Sequence, residues 1–394
     1  MAFTYSDLKP GELRLLRPVS IREGTFMSLE MAQFERKRAP PYIAVSYTWG
    51  EENDMVTLRL NGRNFSVRRN LWFCLTYLSF HAQHSKARYL WVDAICINQG
   101  NIPERNAQVR VMDEIYKNAH CVSIWLGLDP DLEFYKPWIE GSVMTLDLDS
   151  FDKVTRLADH EYWSRYWVIQ ECLLARDIQI HCGRSMMSWA DFQEALSLEA
   201  NLRLLAPAGD SVITEMLDTK KHDALPLLLA RNPTDGFSQR PLEELIIHHR
   251  HSRCKDPRDR VFALLGLIED WERKSLERYF PNYSLSHDGV VVITLAHLRE
   301  LNSTSVTLKS QKLFQGLGVE SNERQRRLIA AAEDCPYYIG YDDEIIMSDE
   351  ARQDRARYMG WDDGLEINQY EEVVEDGLQM SDNMSSGVYR CNIL

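Results

Sequence analysis

The sequence predicts an α/β fold, with a mostly parallel sheet and flanking helices followed by a mainly helical C-terminal region. Three observations lead there. From Tyr42 onward, short β-type runs alternate with longer segments of helical periodicity, the pattern of a layered parallel sheet. Several runs, YIAVSY and HCVSIWL among them, are apolar along their length, as strands buried on both faces must be. From Ser188 onward helical patterns dominate.

Residues 42–47 are the first buried strand of this pattern. In 56–67 apolar and polar residues alternate around Asn61-Gly62, a pair suited to the positive φ angles of a type I′ turn, which predicts a β-hairpin. Leu71, Leu75 and Leu78 recur at helical spacing over 70–84, and 88–97 (RYLWVDAICI) is apolar enough for a central strand. Asn101 is positioned to cap the next helix. Pro103 fits its first turn, and Glu104 stands three residues after Asn101, as in a capping box. Val109, Met112, Tyr116 and Ala119 then form one apolar face. A strand over 120–126 ends at Gly127, and 129–152 is acidic and irregular. The run YWSRYWVIQECLLA (162–175) predicts an aromatic helix, and 177–182 a further strand. Ser188 precedes a helix over 189–198, and Asp256-Pro257 opens one running to Leu267. The domain pattern is therefore a lead-in (1–41), a sheet domain (42–182), a helical region (183–300), and a polar linker with an acidic tail (301–394) expected to be partly disordered.

With 394 residues, 44% of them hydrophobic, the chain can bury one large core or two ordinary ones, which excludes collagenous and disulfide-miniprotein classes. The net charge of −14 is concentrated at the end, where 16 acidic residues face 4 basic ones over 331–394. Without net positive charge, the electrostatic term that drives non-specific nucleic-acid binding is missing, so no nucleic-acid partner is expected. No apolar run approaches the roughly 18 residues of a membrane-spanning helix. The N-terminus lacks the basic and apolar segments of a secretory signal, so a cytoplasmic, reducing setting is expected. There, Cys74, Cys96, Cys121 and Cys172, which lie in apolar segments, act as small hydrophobes.

Common catalytic signatures are missing: no GxxxxGK[ST] phosphate loop, GxSxG elbow, HExxH helix or GxGxxG turn occurs. The stretch HHRHSRC (248–254) and the pair His81 and His84 are metal-ligand types, but neither has cysteine pairs at zinc spacing. Solvated helix-end histidines are the reading taken, with no metal site expected. Asp93 lies in an apolar strand, where a carboxylate is costly unless it is hydrogen-bonded or faces a cleft at the strand's carboxyl end. Asn98 and Gln99 follow, either lining that cleft or shaping the turn. Trp49 either roofs a ligand site or closes the core. Glu171 is the strongest carboxylate candidate: it sits in an aromatic helix with Trp163, Tyr166 and Trp167, where desolvation tunes it or Arg165 pairs with it.

Three segments, YIAVSYTWG, LWVDAICINQGNIPERNAQVRVMDEIYKNAHCVSIWLG and WSRYWVIQE, together resemble the fungal heterokaryon incompatibility (HET) domain over about 42–171. The segments GELRLL, IHCGRSMMSWADF, SRCKDPRDRVFALLGL and PNYSLSHDGV extend the resemblance to about 11–290. It implies an effector of nonself recognition that triggers programmed cell death after fungal cell fusion. HET domains are distantly similar to the Toll/interleukin-receptor (TIR) domain, which implies a flavodoxin-like sheet and, since some TIR domains cleave NAD, NAD as substrate with no bound cofactor. The same resemblance sets WSRYWVIQE against the TIR helix with its S-x-W-C-x-x-E pattern, making Glu171 the catalytic residue, although Val168 and Ile169 depart from that pattern. Ser46, Trp49 and Asp93 become substrate-binding candidates, and Asn98, Gln99, Glu104, Arg165 and Trp167 supporting residues. The alternative is a non-catalytic module acting through self-association or contact with another incompatibility protein.

Overall fold

The computed structural model describes residues 3–19, 27–84, 86–129, 132, 148–196, 224–231, 237–301 and 310–335. The chain divides into two compact units, Met1–Ser238 and Gln239–Leu394. The acidic tail after 335 lies outside the described residues.

Among the described residues of the first unit nine strands form one sheet: β1 (Glu12–Pro18), β2 (Ser28–Glu35), β3 (Tyr42–Tyr47), β4 (Met55–Leu60), β5 (Arg63–Arg68), β6 (Tyr89–Trp91), β7 (Cys121–Trp125), β8 (Ile178–Cys182) and β9 (Ser185–Ser188). Their order is β5-β4-β2-β1-β6-β3-β7-β8-β9. The centre, β6-β3-β7-β8, is parallel throughout, as the apolar runs predict. Numbered by their own sequence, these four strands run second, first, third, fourth, the order of flavodoxin-like sheets. The chain reverses direction across the sheet at β3, whose six residues are all buried, so the carboxyl end of β3 is the topological switch point. Segment 1–41 supplies β1 and β2, which pair antiparallel with each other. β1 also pairs with β6, extending the sheet beyond its parallel core.

The β4–β5 hairpin turns at Asn61 (φ 50°) and Gly62 (φ 74°), both left-handed as the Asn-Gly pair predicts. Helix α1 (Arg69–His84) follows it. Other expectations need correction. The apolar run 88–97 is a strand only as far as Trp91; Asp93–Cys96 is the short helix α2, so Asp93 opens a helix just beyond the strand end and is not inside a strand. The expected helix after Asn101 is two, α3 (Ile102–Val109) and α4 (Met112–Asn118), broken at Arg110–Val111. After α5 (Leu148–Ala158), the aromatic run is likewise divided: a 3-10 turn over Glu161–Ser164, an extended Arg165, then α6 (Tyr166–Leu173). All eight residues of α6 are buried. A helix covers 189–196 (α7), capped by Ser188, whose hydroxyl accepts from the Asp191 amide at 3.1 Å. Helix α8 (Leu225–Ala230) completes the unit.

The second unit contains helices α9 (Leu242–His248), α10 (Asp259–Phe262), α11 (Asp270–Leu276), α12 (His287–Leu301), α13 (Gln311–Gly316) and α14 (Asn322–Asp334). The helix expected from Asp256-Pro257 to Leu267 is regular only over Asp259–Phe262. There the chain is tied by Arg258, which donates to both Asp256 oxygens (2.9 and 2.6 Å) and to the carbonyls of Tyr283 (2.6 Å) and Leu285 (2.8 Å). The polar stretch after Leu301 contains α13 and α14. Helices α9 and α13 approach so closely at Gly316 that a Cβ there would lie 2.5 Å from the Ile246 carbonyl oxygen. Gly316→Ala is expected to destabilise this unit by about 1–3 kcal/mol through overpacking; a chemical-denaturation midpoint equal to wild type would contradict the close approach.

Candidate functional site

The fold gathers polar side chains around the carboxyl ends of β3 and β6. Ser46 is the fifth residue of β3, and its hydroxyl donates to Glu171 Oε2 on α6. It also shares a hydrogen bond with the Tyr162 hydroxyl, from the 3-10 turn before α6. Tyr116 of α4 interacts with the same carboxyl and favours its charged form. Ser46 and Tyr116 are 1% exposed, Tyr162 0% and Glu171 5%, so this polar cluster is enclosed. Burial pushes the Glu171 carboxyl up to about 7, against the opposing pull of the Arg165 charge and the two hydroxyls.

A second cluster, half-buried, lies beside it. The Trp49 indole donates to Asp93 Oδ2 at 3.3 Å, while Asp93 Oδ1 accepts from the Ala94 amide at 2.7 Å. The Arg68 guanidinium stacks 5.0 Å from the Trp49 ring centre. Burial raises the Asp93 carboxyl too, partly offset by the Ala94 amide, Arg165 and Trp49. Gln99 donates to the Asp93 backbone carbonyl at 3.0 Å, and its buried Oε1 has no partner among the described residues. The loop after β3 is anchored by Asn70, which donates to the Thr48 carbonyl at 2.6 Å and accepts from the Trp125 indole at 3.0 Å. Gly50, at φ +75°, passes so near that a Cβ would lie 3.1 Å from Asn70 Cβ.

Arg165 joins the two clusters electrostatically. Its guanidinium donates to the Tyr47 carbonyl, and no ion pair between Arg165 and Glu171 forms, so the direct salt bridge weighed from the sequence is replaced by a longer-range charge felt by both carboxyls. Glu104 stands apart. It accepts both Arg14 terminal nitrogens (2.6 and 3.0 Å) and the Asn98 amide (2.7 Å), joining β1 to α3. Asn101 caps α3 by accepting from the Glu104 amide at 3.1 Å, but the Glu104 side chain turns to Arg14, so the reciprocal half of the capping box is absent. Trp167 is buried and its indole nitrogen is unpartnered among the described residues.

Thus the structure brings Ser46 and Glu171 into contact, sets Trp49, Asp93 and Gln99 next to them, and assigns Asn98 and Glu104 to a separate brace. Two groups escaped the sequence reading: the hydroxyls of Tyr116 and Tyr162. The sequence pattern places Tyr116 on an apolar face, yet a phenol buried on such a face needs a polar partner, and that requirement is the available signal. Of the metal-ligand candidates, His248 and His249 stack edge to face at 4.8 Å, and His249 is buried and pushed down to about 3, not solvated. Among the described residues no three His, Cys, Asp or Glu groups converge on a metal position. The side chains of His81 and His84 lie outside the described residues.

With this geometry established, comparison with known proteins is informative. Residues 42–171 match the family model for the heterokaryon incompatibility protein (HET). This segment is a HET domain. It starts with β3 and ends at Glu171, so the matched region contains all the residues of both clusters. The chain is also similar to heterokaryon incompatibility protein 6, OR allele, of Neurospora crassa, with 25% identity over 348 residues, 71% of this chain and 49% of that protein. The chain therefore spans about half the length of this curated relative. No solved structure matches. Among the described residues no helix is long and apolar enough to cross a membrane.

Proposed function

We propose that the chain acts in fungal heterokaryon incompatibility as an effector of cell death, and that its HET domain exerts this effect by hydrolysing NAD at Glu171. The incompatibility role is supported by the domain match and by the name of the Neurospora relative. The chemistry is supported chiefly by one observation: Glu171, held by Ser46, is a buried carboxyl with a raised proton affinity at the switch point of a flavodoxin-like sheet. In the reaction the bond between the nicotinamide nitrogen and ribose C1′ breaks, and its electron pair leaves with nicotinamide. The ionised Glu171 stabilises the cationic sugar, and water adds at C1′ and loses a proton to give ADP-ribose. Because the leaving group departs neutral from a cationic ring, no general acid is required. Asp93 and Trp49, half-buried, are the groups offered to the ribose hydroxyls and the bases.

Only the ionised Glu171 serves this role. Cleavage is therefore expected to rise about tenfold per pH unit below about 7 and to level off above it, as nicotinamide release by the purified chain can report. A flat profile, or one falling through neutrality, would remove Glu171 from the rate-limiting chemistry.

A second reading draws on the enclosure itself. At 5% exposure, Glu171 bonded to Ser46 serves equally as a lock between β3 and α6 in a module that works by self-association or by contact with another incompatibility protein. Under that reading, growth arrest on overexpression survives Glu171→Gln; under the enzymatic one it does not.

A further inference from the structure

When Glu171 is ionised its carboxylate can only accept, so the one hydrogen of the Ser46 hydroxyl is directed at Glu171 Oε2. With that hydrogen spent, Ser46 can only accept from Tyr162, so the phenol must be the donor in their shared hydrogen bond. Tyr162 is 0% exposed and so is closed off from bulk solvent. The three groups therefore form a directed string, Tyr162 to Ser46 to Glu171, ending on the carboxylate. We propose that Tyr162 is a positioning residue which, through Ser46, aims a hydroxyl hydrogen at Glu171 and so keeps that carboxyl ready to ionise within an enclosed polar cluster.

The physical argument is one of rotor control. A serine hydroxyl turns freely about its Cβ–Oγ bond, and in β3 it has main-chain carbonyls as alternative acceptors. A phenol donating into its oxygen occupies one lone pair, restricts the rotation and polarises the O–H toward Glu171, since hydrogen bonds in series strengthen one another. Of the other groups facing the carboxyl, the Arg165 charge and the Tyr116 hydroxyl also favour ionisation and Asp93 opposes it, while the neighbouring Cys172 thiol, kept protonated by burial, hydrogen-bonds with the Tyr162 hydroxyl at the head of the string. The consequence for turnover rests on the NAD-hydrolysis reading; the ionisation of Glu171 does not.

The test is a titration of the full-length chain with glutamate side-chain carboxyls labelled with carbon-13, the Glu171 resonance being assigned by its loss in Glu171→Gln. The wild-type midpoint is expected near 7. Tyr162→Phe, which removes one oxygen, is expected to move it up by about half to one pH unit, and Ser46→Ala by at least as much. A midpoint in Tyr162→Phe equal to or below wild type overturns the proposal. In the NAD assay the Tyr162→Phe pH profile should shift by the same amount. If the resonance shifts but no variant cleaves NAD, the string stands and the hydrolysis reading fails. If NAD is cleaved and neither resonance nor profile moves, the hydrolysis reading stands and the string is rejected.

Discussion

Glu171→Gln is expected to lower NAD cleavage by roughly 100- to 1,000-fold, the usual loss when a preorganised group facing transition-state charge is removed, while leaving the domain at least as stable as wild type. The second half follows from the same burial as the first. Burial raises Glu171 from 4.5 to about 7, on the order of 3 kcal/mol against its charged form. The folded state thus holds the proton more tightly than the unfolded chain does. Whatever stability this gives is complete below about pH 4.5 and is lost as pH rises through 7. At pH 8 the wild-type domain carries an ionised carboxylate in its core, whereas glutamine keeps the shape and never ionises. Denaturation midpoints of the two proteins at pH 8, measured beside their rates of nicotinamide release, decide the matter. Equal rates would end the assignment of chemistry to Glu171. A marked loss of stability in the glutamine variant would show that the residue serves the fold.

The largest effect on stability is expected from Glu104→Ala. The Arg14–Glu104 pair has side chains 1% and 8% exposed, and the arginine's other contacts among the described residues are uncharged: the main-chain carbonyls of Cys96 at 2.9 Å and Ser6 at 2.6 Å, and the Tyr5 ring, 4.9 Å from its guanidinium carbon. Removing the carboxylate leaves a guanidinium enclosed between β1 and α3 without a counter-charge, and also strips the Asn98 amide of its acceptor. A cost of about 3–5 kcal/mol follows for a buried pair broken on one side. Replacing both partners with apolar residues of similar size, Arg14→Met with Glu104→Leu, should recover most of it, because no lone charge is then buried. A urea denaturation series on the single and double variants measures both quantities. A single-variant cost below about 1 kcal/mol would mean that solvent reaches the arginine, and the proposed brace would be wrong.

This brace and the Glu171 cluster differ in how far they could be read from the sequence. Glu104 drew notice as a capping residue three positions after Asn101, but its real partner, Arg14, lies 90 residues away on a strand in the segment read as a lead-in. The cap at Asn101 was legible because it needs only its own next turn. Asp93 was recognised as an unusual carboxylate, yet its apolar neighbours suggested a strand where the chain turns into α2. Apolar runs report burial and do not by themselves distinguish a strand from a helical turn that is equally enclosed.

By itself the sequence determined the parallel core, the turn at Asn61-Gly62, the caps at Asn101 and Ser188, the HET domain from Tyr42 to Glu171, and Glu171 as the carboxyl to watch. Each of these is written in periodicity, turn chemistry or a motif spanning neighbouring residues. Only the tertiary structure decided that β1 and β2 join the sheet, that the aromatic run breaks at Arg165, and that the Glu171 carboxyl, reached by Ser46 across 125 residues, is enclosed with the hydroxyls of Tyr116 and Tyr162. The proton affinity of a buried acid depends on how completely water is excluded and on which dipoles replace it. Those are properties of the packed arrangement, set by groups that meet only after the chain has folded.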